Sequence, residues 1–195
     1  MHEAIRIIKD EHRSIAAVLH GLIHLTRQIR DHGAKPNFPV LHAMLDYIVA
    51  FPERLHHPKE DRYLFAALRA SRPDSAALLD SLEAEHVHGD ALIRGLQDSL
   101  IAYERSGPAK FGDFAHAVEL YGEFHWAHMR REEEEVMPLA EQTLTESEWE
   151  SIAKAFKEND DPLFGIKPKQ EFEELFRRVV RLTPPPIGVG PESRG

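Results

Sequence analysis

Cysteine is absent from this chain of 195 residues. That excludes disulfides, thiolate metal sites and cysteine nucleophiles. Long apolar runs are missing as well, so no segment reads as a membrane span. Positive charge is in deficit: 24 lysines and arginines face 33 aspartates and glutamates, a formal net charge of −9. This balance argues against nucleic acid or an anionic membrane as the main partner. The first residues, MHEAIRIIKDEHR, are too charged for a secretory signal, and a cytoplasmic location is the expectation. Composition otherwise suits a globular protein with one well-buried core. Histidine is the exception, with 13 in the chain, and that surplus needs a cause.

Hydrophobic spacing predicts four long helices. The first, about residues 2–32, lines one seam with Ile5, Ile8, His12, Ile15, Leu19, Leu22 and Ile29 before Gly33 stops it. The second, about 40–70, begins its seam with Leu41, Leu45 and Ile48; Pro52 and Pro58 predict a kink or short break beside His56, His57 and Glu60. The third, about 75–105, carries Leu79, Leu82, His86, Gly89, Ile93, Leu96, Leu100 and Tyr103, with Gly89 leaving room beside His86. The fourth, about 110–144, carries Phe114, Val118, Tyr121, His125, His128, Glu132, Val136 and Leu139, with a bend at Pro138. Thr145–Glu148 has the form of a capping box and starts a fifth helix ending near Glu158. A sixth, about 169–182, carries Phe172 and Phe176, and 183–195 reads as a flexible tail. The expected organisation is a four-helix unit over 1–144, a helical extension over 145–182 packed on it, and the tail.

A histidine facing a bundle core needs a partner. One such residue is more often a hydrogen-bonded core histidine than a ligand. Here His12, His56, His86 and His128 occupy four seams, and two of them are followed four residues later by an acid, Glu60 and Glu132. Residues four apart share a helix face, so each pair can serve one cation or two adjacent ones. If the helices run up-down-up-down, the four seams converge on one level. Imidazole and carboxylate without sulfur suit iron, manganese or zinc, and two carboxylates between histidines suggest a two-metal centre. The Glu132–Glu135 run is otherwise a solvated helix face, and His2, His20, His24, His32, His42, His88 and His116 are expected near the surface. A ferritin-like site built on Glu53/His56 and Glu83/His86 is a weaker alternative, because it leaves His12 and His128 unexplained.

The stretches DEHRSI around His12, HHPKEDRYLF around His56, EAEHVHGDAL around His86 and EFHWAHMRREEEEVMP around His128 together resemble the hemerythrin-like, or HHE cation-binding, domain. The resemblance spans about residues 1–144 and implies an all-α, antiparallel up-down four-helix bundle around a non-haem di-iron centre, two iron ions bridged by oxo or hydroxo. By position, His12 and His56 would sit on one iron, His86 and His128 on the other, and Glu60 and Glu132 would bridge them. Oxygen-carrying members have a second histidine where this chain has Asp90, which puts oxygen carriage in doubt. A fifth nitrogen ligand could come from His57 or His125, and Glu133 rivals Glu132 as the fourth-helix acid. The implied function is to bind or react with dioxygen, peroxide or nitric oxide. The alternative is a sensor or store that signals through the C-terminal helices. Whether the chain forms a homodimer stays open.

Overall fold

The computed structural model describes residues 2–158. Among these residues the chain is helical throughout, with no strand. Helix α1 (Glu3–His32) ends where Gly33 adopts φ 64°, a left-handed cap that favours glycine. Asn37 opens the next rod by accepting the Val40 N–H at 3.3 Å. That rod is unbroken from residue 38 to 71: α2 (Phe38–Ile48), a π-helical stretch Val49–His56, α3 (His57–Lys59), a second π stretch Glu60–Phe65 and α4 (Ala66–Ser71). A short turn leads into α5 (Ala76–Ser106). The fourth rod joins α6 (Phe111–Arg131), a third π stretch Glu132–Val136 and α7 (Met137–Thr143). Helix α8 (Glu146–Lys157) follows, and Thr145 and Glu148 close the expected capping box on each other.

The prolines do not break the rod, since the chain stays helical from residue 38 to 71. Pro52 lies inside the first π stretch, and Pro58 stands in the first turn of α3. Proline brings no N–H and crowds the preceding carbonyl. Widening the turn to π spacing absorbs that misfit without interrupting the rod. Pro138 likewise falls in the first turn of α7, directly after the third π stretch.

Two apolar clusters hold the rods together. One gathers Ile15 to Leu22, Val40 to Phe51, Ile93 to Tyr103 and Phe114 to Met129. The other gathers Ala4 to Ile8, Leu64 to Leu68, Leu79 and Leu82, and Val136 to Leu144. Each rod passes from one cluster to the other, and the order alternates from rod to rod. Between the clusters every rod contributes buried histidine or glutamate. Trp149, Ile152 and Phe156 bring α8 into the second cluster, Lys157 pairs with Glu3 at 2.7 Å, and Lys59 Nζ donates to the Ala155 carbonyl at 2.6 Å. No helix of the described residues is long and apolar enough to cross a membrane. The sixth helix and its Phe172/Phe176 stripe lie outside the described residues.

Candidate metal centre

His12, His56, His57, Glu60, His86, His128 and Glu132 meet in one buried layer, none more than 7% exposed. The π stretches begin or end at the residues that matter. Val49–His56 and Glu60–Phe65 flank the short α3 turn, so His56, His57 and Glu60 all turn inward. Glu132–Val136 opens one turn beyond His128. Such local widening re-aims side chains that a regular helix would space evenly.

Both carboxylates lie between two groups of nitrogens. Glu60 places Oε1 3.6 Å from His12 Nε2 and 3.3 Å from His56 Nε2, and Oε2 3.6 Å from His86 Nε2. Glu132 does the reverse, with Oε2 3.3 Å from His12 Nε2 and Oε1 3.5 Å and 3.2 Å from His86 and His128 Nε2. The Nε2 atoms of His86 and His128 are 3.0 Å apart. Two donors each ~2.1 Å from a shared cation, at right angles, stand about 3 Å apart. Among the described residues two sets could therefore hold a metal ion: His12, His56 and Glu60, and His57, Glu60, His86 and His128. His57 stacks on His86, ring centres 4.4 Å apart.

The fit to cations rests on what these atoms lack. Nε2 of His12 and of His56 and all four oxygens of Glu60 and Glu132 are buried with no hydrogen-bond partner. Buried polar groups are rarely left so, because the desolvation cost goes uncompensated. Electrostatics point the same way. Burial opposes charge on His56, yet Glu60 and Glu11 raise its pKa to about 9. Against the same burial, Asp61 and Glu132 raise His86 to about 10, and Glu132 and Glu85 raise His128 to about 9. Burial and Glu132 push the Glu60 carboxyl up, but His56 and His12 prevail and hold it below its ordinary value. The layer thus draws positive charge, protons or metal ions.

The outer nitrogen of each ring is also held. Nδ1 of His12 meets Glu133 at 3.0 Å, that of His56 meets Glu11 at 2.6 Å, that of His86 meets Asp61 at 2.8 Å and that of His128 meets Glu85 at 2.9 Å. A carboxylate on Nδ1 fixes the ring and leaves Nε2 pointing inward. Glu133 therefore touches the outer edge of His12, while Glu132 takes the interior. Sequence reasoning missed Glu11, Asp61 and Glu85. Their signal was present, since each stands next to a residue already singled out.

A polar branch lies on the His57 side. Glu53 Oε2 accepts from His57 Nδ1 at 3.3 Å, and Glu53 Oε1 accepts from the Tyr121 hydroxyl at 3.0 Å. Burial raises Glu53 to about 7, against the Tyr121 hydrogen bond. Tyr121 also reaches His125 Nε2 at 3.3 Å. His125 is fully buried and its pKa falls to about 3, through burial first and His128 second. It belongs to neither metal-holding set. A Cβ on Gly89 would come within 3.1 Å of Phe124 and 3.6 Å of His125, so this glycine makes room for the branch. Asp90 stays outside, half-exposed and paired with Arg94. Glu83 is drawn off by Arg69 at 3.0 Å and Glu53 by Tyr121 and His57, so the ferritin-like pairs do not form a centre.

One cleft of about 500 Å³ between α1 and α6 reaches this layer. Ala16, Trp126 and Met129 line its apolar part, Lys9, Arg13, Arg130 and Glu134 add charge, and His12 and Glu133 border it as well. Comparison with family models gives a match over residues 3–140 to one described as the Hemerythrin HHE cation binding domain. Comparisons with curated proteins and with solved structures give no match.

Proposed function

Because the chain belongs to the hemerythrin HHE cation-binding family, we propose that it is a non-haem di-iron protein that binds or reacts with dioxygen, peroxide or nitric oxide. The observation that carries this is the set of inward atoms on His12, His56, Glu60 and Glu132 that lie 3.2–3.6 Å from nitrogens or oxygens of the same layer yet make no hydrogen bond. In this reading His12 and His56 would hold one ion, His57, His86 and His128 the other, with Glu60 and Glu132 available to both. Manganese or zinc would suit the same donors. When bound, iron supplies an exchangeable coordination position and one-electron redox chemistry. The chain's own groups do the rest. Glu60 and Glu132 balance the cationic charge. The apolar clusters on either side keep bulk water out, which strengthens each electrostatic contact within. Tyr121 and Glu53 hold His57 toward its group. The alternating order of the clusters along the rods supports an antiparallel up-down bundle. Metal analysis of iron-loaded protein should give two ions per chain, with an absorption spectrum that changes on adding at least one of the three reagents. An iron-loaded sample indifferent to all three would overturn the reading.

A sensor role has one observation in its favour. Phe156 of α8 packs edge-on against the His56 ring, centres 5.9 Å apart, so a change at that ring is felt outside the four rods. Reagent binding without turnover, together with altered proteolysis of the segment after residue 144, would select this second reading.

A further inference from the structure

The four carboxylates behind the histidines form a closed circuit. Glu11 on the first rod holds His56 on the second, and Asp61 on the second holds His86 on the third. Glu85 on the third holds His128 on the fourth, and Glu133 on the fourth holds His12 on the first. None of these four rings is fixed by its own rod, whereas His57 is held by Glu53 of the rod that carries it.

Helix geometry explains how this arises. Successive residues on a helix are about 100° apart, so the neighbour of an inward residue faces the adjacent rod. On the first and third rods the acid precedes the inward histidine, as Glu11 precedes His12 and Glu85 precedes His86. On the second and fourth rods it follows the inward glutamate, as Asp61 follows Glu60 and Glu133 follows Glu132. Reversing chain direction reverses the sense of rotation, so alternating before and after keeps the circuit running one way around the bundle. Two members are braced from outside as well: Glu133 by Lys9 at 3.6 Å, and Glu85 by Arg131.

The geometry points to Glu11, Asp61, Glu85 and Glu133 as positioning residues of the metal centre, each fixing the ring presented by the next rod and setting its Nε2 for the cation. This rests on the metal-centre reading above. A carboxylate behind a ligating imidazole orients the ring and raises its basicity, and losing one typically costs 10–100-fold in metal affinity. The arrangement further implies that metal affinity depends on the packing between neighbouring rods, because His12, His56, His86 and His128 are each aimed by a different rod from the one that carries it.

The test uses the full chain, labelled with 15N-histidine and loaded with zinc alone, which is diamagnetic. Glu11→Gln, Asp61→Asn, Glu85→Gln and Glu133→Gln keep the side-chain shape, and Glu119→Gln, which breaks a surface pair with Arg30, serves as control. Each ring variant should move the Nδ1–H resonance of one histidine, the one on the following rod. Each should also raise the zinc dissociation constant about 10–100-fold in chelator competition, with the control unchanged. Glu11 is 5% exposed, where a folding defect would mimic lost affinity, so the decision rests on Glu85 and Glu133, at 25% and 35% exposed. If those two variants match wild type in affinity and resonances, the positioning role is overturned. If the wild-type chain takes up no zinc at all, the metal-centre reading itself fails.

Discussion

At the scale of single residues, carboxylates keep buried rings protonated against the pull of burial, and the response to pH should reveal that. In the metal-free chain His56, His86 and His128 have pKa values of about 9, 10 and 9, above the ordinary value of about 6.5. A group whose folded pKa is raised adds stability that is full below the unfolded value and is lost as pH climbs through the folded one. Metal-free stability should therefore fall between about pH 7 and pH 9–10, seen as a declining midpoint in urea titrations. His57 and His125, depressed by burial, stay neutral across that window and do not offset the loss. Cations must displace the same protons, so metal uptake should strengthen over the same range and release protons. A flat metal-free profile would show that the carboxylates do not control these rings. Glu132 and Glu133 separate at this scale too. Glu132→Gln should bring loaded metal below two ions per chain, because it removes a charge facing three histidines. Glu133→Gln, which touches only the outer edge of His12, should keep both ions at saturating metal and lower only their affinity.

At the scale of elements, α8 does measurable work. Phe156 is 1% exposed, packs on His56 and joins the second apolar cluster. Phe156→Ala should cost about 3–5 kcal/mol, the range for truncating a buried aromatic, and should speed chelator removal of metal by opening the His56 side. Unchanged stability in urea would mean α8 is only loosely seated. The existence of the long helices was legible because apolar residues recur at three and four steps, and the histidines stood out because they interrupt those stripes. The capping box at Thr145 was legible because its two side chains answer each other locally. The π stretches were not. Pro52 and Pro58 announce a fault in the hydrogen-bond ladder, but whether the chain breaks, kinks or widens depends on what packs around it. Glu11, Asp61 and Glu85 were missed for a related reason: their partners lie on other rods, and seam reasoning follows one helix at a time. Seam spacing already turned Glu132 inward, but only the packed fourth rod shows its rival Glu133 on the outer edge of His12.

At the scale of the whole molecule, apolar clusters lie on either side of the polar layer, α8 covers part of its second-rod side, and the cleft between α1 and α6 is where a large opening reaches it. The cleft stops at His12 and Glu133, and Lys9 holds Glu133 from its outer side. Ala16, Trp126 and Met129 form an apolar wall alongside the charges of Lys9, Arg13, Arg130 and Glu134. Traffic between solvent and the centre is expected to use this route. Ala16→Trp adds bulk to the cleft at a residue that belongs to neither metal-holding set, one helical turn from His12. In the variant, iron content at equilibrium should stay at the wild-type level, because every side chain of the two metal-holding sets is retained. Spectral changes on adding nitric oxide or peroxide to the iron-loaded protein, followed by stopped flow, should slow at least tenfold, equivalent to about 1.4 kcal/mol on the barrier. Glu119→Trp on the outer face, where Glu119 is 46% exposed, adds the same bulk away from the cleft and should leave the rate unchanged. Equal rates in wild type and both variants would mean that reactants reach the layer by local opening of the rods rather than along a standing path.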